Sequence, residues 1–242
     1  KTNNKKKVVD SLSRTYCSIL DSQNKYSGLN IRLYLNDERI LPYKFCVWGN
    51  PEESEPRFGR SRIFGKVNAY RQINQVIGTF PFCINCNIWL AKNEEHCENC
   101  AQEDLDQNII KRERRIYGWL GIQRYPDRND YGLDFIRNGR AIEMRSKDLF
   151  KWEGLLGDII YEYVIDDPSN RGRIVGQIHV DHCSVTYTKD HFVREDKAWK
   201  EMREVVRGKG CLLPNHEDND KNNDSPLLKL HQAFRRTMPM RG

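Results

Sequence analysis
The sequence predicts an α+β domain. Several segments alternate apolar and polar residues as half-buried strands do, while helical spacing is confined to a few stretches. A strong two-residue hairpin signal, Asn138-Gly139, links two of the strands. No internal repeat is present.

Taken in order, residues 8–22 (VVDSLSRTYCSILDS) carry apolar side chains at helical spacing and predict a first helix. A turn at NKYSGLN leads into NIRLYLNDERILP, where Ile31, Leu33 and Leu35 alternate with polar neighbours and Asn36-Asp37 begins a turn. NPEESEPRFGR reads as a loop, and GKVNAYRQINQVIGTFPF as strand that runs straight into a cysteine pair. AQEDLDQNIIKRERR reads as helical or irregular, and YGWLGIQRYP (117–126) as strand. Leu133, Phe135 and Ile142 flank RNGR, where Asn138-Gly139 suits a type I′ turn because both central residues need positive φ. DLFKWEGLLG (148–157) is ambiguous, whereas YEYVID (161–166) and RIVGQIHVDH (173–182) read as strands. DKAWKEMREVVRG predicts a helix with Trp199, Met202, Val205 and Val206 on one stripe and Gly208 as its stop. Residues 211–225 read as a flexible linker, and SPLLKLHQAFRRTM as a final amphipathic helix.

At 242 residues the chain can bury a substantial core. No apolar run approaches the roughly 18 residues a membrane span needs, and KTNNKKKVVDSL lacks the apolar centre of a signal peptide. A cytoplasmic protein without membrane contact is expected. In a reducing compartment, eight cysteines argue for metal binding over disulfides in whichever subset has ligand spacing.

Four have it: FCINCNIWLAKNEEHCENC holds two Cys-x-x-Cys pairs, Cys83/Cys86 and Cys97/Cys100. Each such turn presents two thiolates to one metal while backbone N–H groups stabilise their charge, so two turns complete a tetrahedral zinc shell. With sulfur at every corner no position is open to water or substrate, and the expected zinc is structural. His96 abuts Cys97 and is an alternative ligand. Cys17, Cys46, Cys183 and Cys211 are scattered and read as ordinary small side chains.

IHVDH (178–182) invites a metal-nuclease reading on His179, Asp181 and His182. On a strand, however, His179 and Asp181 point to one face and His182 to the other, so the trio does not converge. Asp134 with Glu143 faintly echoes a restriction-nuclease core but lacks the lysine that chemistry needs. The net charge of +6 is unevenly placed, with basic clusters at residues 1–7, at Arg57, Arg60 and Arg62, and at Lys111, Arg112, Arg114 and Arg115. Such clusters suit phosphate contact on DNA or another nucleic acid, or are solvated faces.

Three stretches in one order carry a further signal. LSRTYCSIL before NIRLYLNDERILP, the hairpin segment YGLDFIRNGRAIE, and RIVGQIHVDHCSVTYTKDHF together resemble the transducer, or second, domain of GHKL-type ATPases, the class of gyrase, MutL and the MORC proteins. The likeness is greatest to MORC-like and MutL-like bacterial ATPases. It implies a mixed-sheet, ribosomal-protein-S5-like α+β fold with a left-handed βαβ element, from which this chain departs by inserting a zinc-ribbon-like knuckle between two strands. It also implies a division into residues 1–26 as the last helix of a preceding ATPase module, 27–80 and 105–210 as transducer, 81–104 as knuckle, and 211–242 as linker and C-terminal helix.

Under this resemblance Lys189 is the switch lysine that reaches the γ-phosphate of ATP in a neighbouring module. A compact ammonium on a long stem suits that role. Thr188 and Asp190 would position the loop, and Arg137 and Arg140 could meet phosphate. The chain holds no Glu-x-x-x-Asn helix, Asp-x-Gly-x-Gly loop or Gly-rich lid. ATP and Mg2+ are therefore expected only with a preceding module of the same protein, in an ATP-bound homodimer, in bacterial DNA repair or defence. A zinc-dependent nucleic-acid-binding module without ATPase coupling is the alternative.

Overall fold
A computed structural model of the chain describes residues 2–21, 31–50, 54–100, 108–154, 157–164 and 170–234. The expected turn at residues 24–30 and the ends of the first helix, the knuckle, YEYVID and the final helix lie outside them.

The fold is α+β and centres on a six-stranded mixed sheet. Its strands are β5 (Tyr70–Cys83), β6 (Ile88–Trp89), β7 (Ile109–Asp127), β8 (Gly132–Arg137), β9 (Arg140–Ser146) and β12 (Gly172–His179), in the order β6-β5-β7-β12-β8-β9. β8 and β12 run parallel, with Val175 beside Gly132 and His179 beside Ile136, and every other pair is antiparallel. The described connection between the parallel neighbours passes through β9, a 3-10 turn at Asp148–Phe150 and a small hairpin of β10 (Lys151–Glu153) and β11 (Ile159–Tyr161). Two further hairpins flank the sheet: β1 (Leu33–Leu35) with β2 (Glu38–Ile40), and β3 (Phe58–Ser61) with β4 (Gly65–Asn68).

Both faces are covered around β12 and β8, which is why Leu133, Phe135, Ile136, Ile174 and Ile178 are buried without alternation. One face carries α3 (Lys197–Arg207) and α4 (Pro226–Phe234), with Phe135 meeting Trp199 edge-on at 4.8 Å. Asp196 caps α3 by accepting from Ala198 N, and Gly208 at φ +79° ends it. The other face carries α1 (Thr2–Thr15), α2 (Cys17–Leu20) and residues Tyr43 to Trp48. There Arg14 is buried and grips Asp134 through two bonds of 2.8 and 3.0 Å, and also pairs with Asp130, so the end of α1 is locked onto β8.

Five sequence expectations need correction. YEYVID, read as strand, is strand only at Tyr161, the last residue of β11, and Glu162 to Val164 lie outside any strand. The segment 109–115, read as helical or irregular, is strand, because β7 runs unbroken beside β5 from Ile109–Cys83 to Gly121–Tyr70. RFGR is strand β3, stabilised by pairing with β4 and by Phe234 lying over Gly59. The first helix breaks at Tyr16 into α1 and α2. The supposed flexible linker is packed: Cys211, Leu212, Asn223 and Ser225 are buried, with Leu212 N donating to Glu162 and Asn223 Nδ2 to Arg207 O.

Candidate functional site
The cysteines occupy the far end of the β5–β7 ribbon. Cys83 closes β5, Cys86 follows in the tight turn to β6, and Cys97 and Cys100 come from the loop beyond. The four sulfurs all lie within 4.8 Å of one another. Tetrahedral Zn–S bonds of about 2.3 Å place sulfurs about 3.8 Å apart, so the donor set fits a zinc ion. Cys86 N–H points to Cys83 Sγ at 3.4 Å, and that donor pulls the Cys83 thiol down to about 7. Cys86 is pushed up to about 12, first by its contact with Cys100. Four thiols this close cannot all ionise without a cation among them. Leu90 packs beneath the cluster with Ile88 and Ile109, a core too small to hold the loop alone. His96 is exposed and stands outside the sulfur group.

Lys189 sits at the apex of a braced loop. The ends meet through the Val185–Phe192 bridge and the bond from Val193 N to Ser184 O at 3.0 Å. Within it, Asp190 Oδ1 accepts from Thr186 and Thr188 hydroxyls at 2.8 and 2.5 Å, and Lys189 N donates to Thr186 O at 2.9 Å. Lys189 itself adopts φ +56°, a strained backbone for a residue with a Cβ. Phe192 anchors the loop, stacked on Trp199 at 5.2 Å and donating its N–H to Glu143. Residues Tyr187 to His191 are exposed, and the Lys189 ammonium meets no carboxylate among the described residues.

The basic residues fall into two groups at opposite ends of β5. Arg57, Arg60 and Arg62 are exposed on or beside the β3–β4 hairpin. On β7, Lys111 and Arg112 are exposed, but Arg114 is structural: it lies 3.8 Å over Phe80 and donates to Leu90 O at 2.8 Å, fastening the cysteine loop. Arg115 is paired with Glu113 at 2.6 Å.

The histidines of IHVDH do not converge. His179 is buried and stacked on Tyr117 at 4.3 Å, Asp181 accepts from Asn138 N at 2.7 Å, and His182 turns its ring edge toward Trp89. Burial holds both imidazoles neutral, near pKa 4. Asp134 and Glu143 are likewise committed, to Arg14 and to Arg194. Among the described residues only the four cysteines form a metal-ligating group, and no helix there is long and apolar enough to cross a membrane. Sequence reasoning passed over Trp89, which the ribbon brings to one notch with His182 and with Arg137 of the β8–β9 turn, a residue the resemblance had offered to phosphate. Comparison with protein-family models, curated proteins and solved structures finds no match.

Proposed function
We propose that this chain is the transducer region of a GHKL-type ATPase, with Lys189 offered to a nucleotide held by a preceding module of the same polypeptide. The observation that carries this reading is the presentation of Lys189: exposed, unpaired by any carboxylate among the described residues, and held in a left-handed conformation by a loop pinned at Phe192. A loop that stores strain to display one cation is suited to delivery of that cation to a partner. The ammonium would offset charge on the transferring phosphoryl group, and Thr188 and Asp190 hold the turn that carries it.

In this reading ATP and Mg2+ belong to the neighbouring module, nucleotide binding pairs two copies, and α1 is the seam through which the module is joined. The S5-like fold and its left-handed βαβ element belong to the proposal alone; the described connection between the parallel neighbours β8 and β12 holds strands and a 3-10 turn. The zinc is structural, and nucleic-acid contact falls to Arg57, Arg60, Arg62, Lys111 and Arg112. A zinc-dependent nucleic-acid-binding module without ATPase coupling is the second reading, favoured by the free exposure of those five side chains. Bacterial DNA repair or defence is the setting that the transducer reading implies.

The test is Lys189→Ala in the protein carrying its nucleotide module. ATP turnover should drop by about a hundredfold, as when one transition-state charge partner is removed, with zinc content and nucleic-acid affinity unchanged. Parental turnover in a folded variant overturns the transducer reading and leaves the second.

A further inference from the structure
Beyond Tyr117 the sheet loses a layer. β12 ends at His179 opposite Tyr117, while β7 continues to Ile109 with β5 on its other side. The step leaves a notch of about 280 Å³ between the outer part of β7, the ribbon tip, the β8–β9 turn and the residues just after β12. That volume is near the lower bound of small-molecule sites, about 300 Å³.

Its lining has a definite chemistry. Arg112, Arg115 and Arg137 supply guanidinium groups, and Trp89 and Tyr117 supply aromatic surface. Arg112 has no carboxylate partner among the described residues and rests 4.4 Å over Phe82 and 5.5 Å over Trp89. Arg137 spends only its Nε, on Asp181 O at 3.3 Å. The acids in the wall are already engaged: Glu113 holds Arg115, and Asp181 accepts from Asn138 N and the Tyr117 hydroxyl. His182 also lines the notch. It is only 6% exposed, and its Nε2 has no hydrogen-bond partner. That nitrogen has no accessible surface of its own, so His182 shapes the wall of the notch and leaves the polar contacts to the arginines.

We propose that this notch binds one phosphorylated nucleotide unit, its phosphate held by Arg112 and Arg137 and its base set against Trp89. Guanidinium forks match phosphate oxygens, and aromatic surface beside cations is how single nucleic-acid strands are held without base-pair readout. The recess is too small for a duplex, so a single nucleotide is what it accommodates, free or within a strand. The proposal deepens the nucleic-acid part of the reading above and is independent of Lys189.

The test uses the full chain, loaded with zinc, and two probes: a labelled short oligodeoxyadenylate followed by fluorescence anisotropy, and deoxyadenosine monophosphate followed by calorimetry. Arg112→Gln/Arg137→Gln should weaken the strand by about tenfold or more and cut its log-affinity slope against log salt by about 1.4, two released counterions at about 0.7 each. Lys197→Gln/Lys200→Gln, which removes the same charge from an exposed face of α3, should leave both values unchanged. Loss for the strand alone assigns the site to a nucleotide within a chain, and loss for both probes to the nucleotide itself. If the parent binds the strand and the arginine variant, with normal zinc content and melting, binds it equally, the notch proposal is overturned while nucleic-acid contact stands. If the parent binds neither probe, both fall.

Discussion

Arg207 and Glu162 form an ion pair in which both side chains have no solvent exposure. One guanidinium nitrogen lies 2.9 and 2.7 Å from the two carboxylate oxygens. The carboxylate also accepts from Leu212 N at 2.6 Å, and the guanidinium donates to the carbonyls of Lys151 and Gly210. One pair thus gathers the end of α3, the β10–β11 hairpin and the segment leading to α4. Glu162→Ala leaves a buried cation and an orphaned N–H, and is expected to cost about 3–5 kcal/mol in urea unfolding. Replacing both partners by apolar residues of similar size should cost less than Glu162→Ala alone. A loss below 1 kcal/mol, as for ordinary surface pairs, would show that the pair is not the clasp described here.

Removing one sulfur from the zinc set should be felt as lost metal and lost order at the ribbon tip. Cys86→Ser is expected to bind substoichiometric zinc and to melt at lower temperature, with increased proteolysis between Cys83 and Cys100. Full zinc occupancy with unaltered melting would refute the four-sulfur centre.

Stability should fall with acid through the buried histidines. His179 is held near pKa 4 by burial, against 6.5 when unfolded, so the unfolded chain takes the proton first. The stabilisation is complete above about pH 6.5 and is lost as pH falls toward 4, about 2 kcal/mol for one such group between pH 7 and pH 5. His179→Phe preserves the stack on Tyr117 and should remove that share of the pH dependence, read from urea midpoints at both pH values. A variant with the parental slope would mean that His179 titrates normally in the fold.

The β8–β9 turn supplies a steric test. Asn138 and Gly139 both have positive φ, 49° and 78°, and a Cβ on Gly139 would come within 2.3 Å of Ile19 Cγ2. Gly139→Ala is expected to cost about 1–3 kcal/mol from backbone strain and from the collision with α2. Adding Ile19→Ala should recover the collision share only, so the two changes should be non-additive in urea unfolding. Strict additivity would remove the contact from the account.

How much of this was legible follows from the range of the forces involved. Turn chemistry acts over two residues, so Asn138-Gly139 and the Gly208 stop are where the sequence placed them. Ligand spacing is equally local, and the cysteines converge as their pairs predict. The strand at Ile109–Arg115 escaped notice because Lys111, Arg112 and Glu113 are exposed and charged in succession, leaving no alternation to read, and its partner lies across the cysteine loop. Arg14 carries no local signal of its role, since only the tertiary fold places Asp134 against it. The same holds for residues 211–225, whose polar composition suggests solvent until Glu162 and Arg207 are seen to hold their backbone. The notch was invisible because it arises from the unequal lengths of β7 and β12, and no residue pattern encodes that difference.

The unbroken course of β7 has a mechanical consequence. At about 3.3 Å per residue, Ile109–Asp127 is a beam roughly 60 Å along its path, clamped by β12 over its inner half and cantilevered beyond Tyr117. Its partner β5 carries a bulge between Val76 and Gly78, opposite Arg115 and Arg114, so the outer ribbon is free to twist there relative to the clamped half. The inner limit of that overhang is Tyr117, against which His179 and Asp181 both rest, so the overhang begins where the chain leaves β12 toward Lys189.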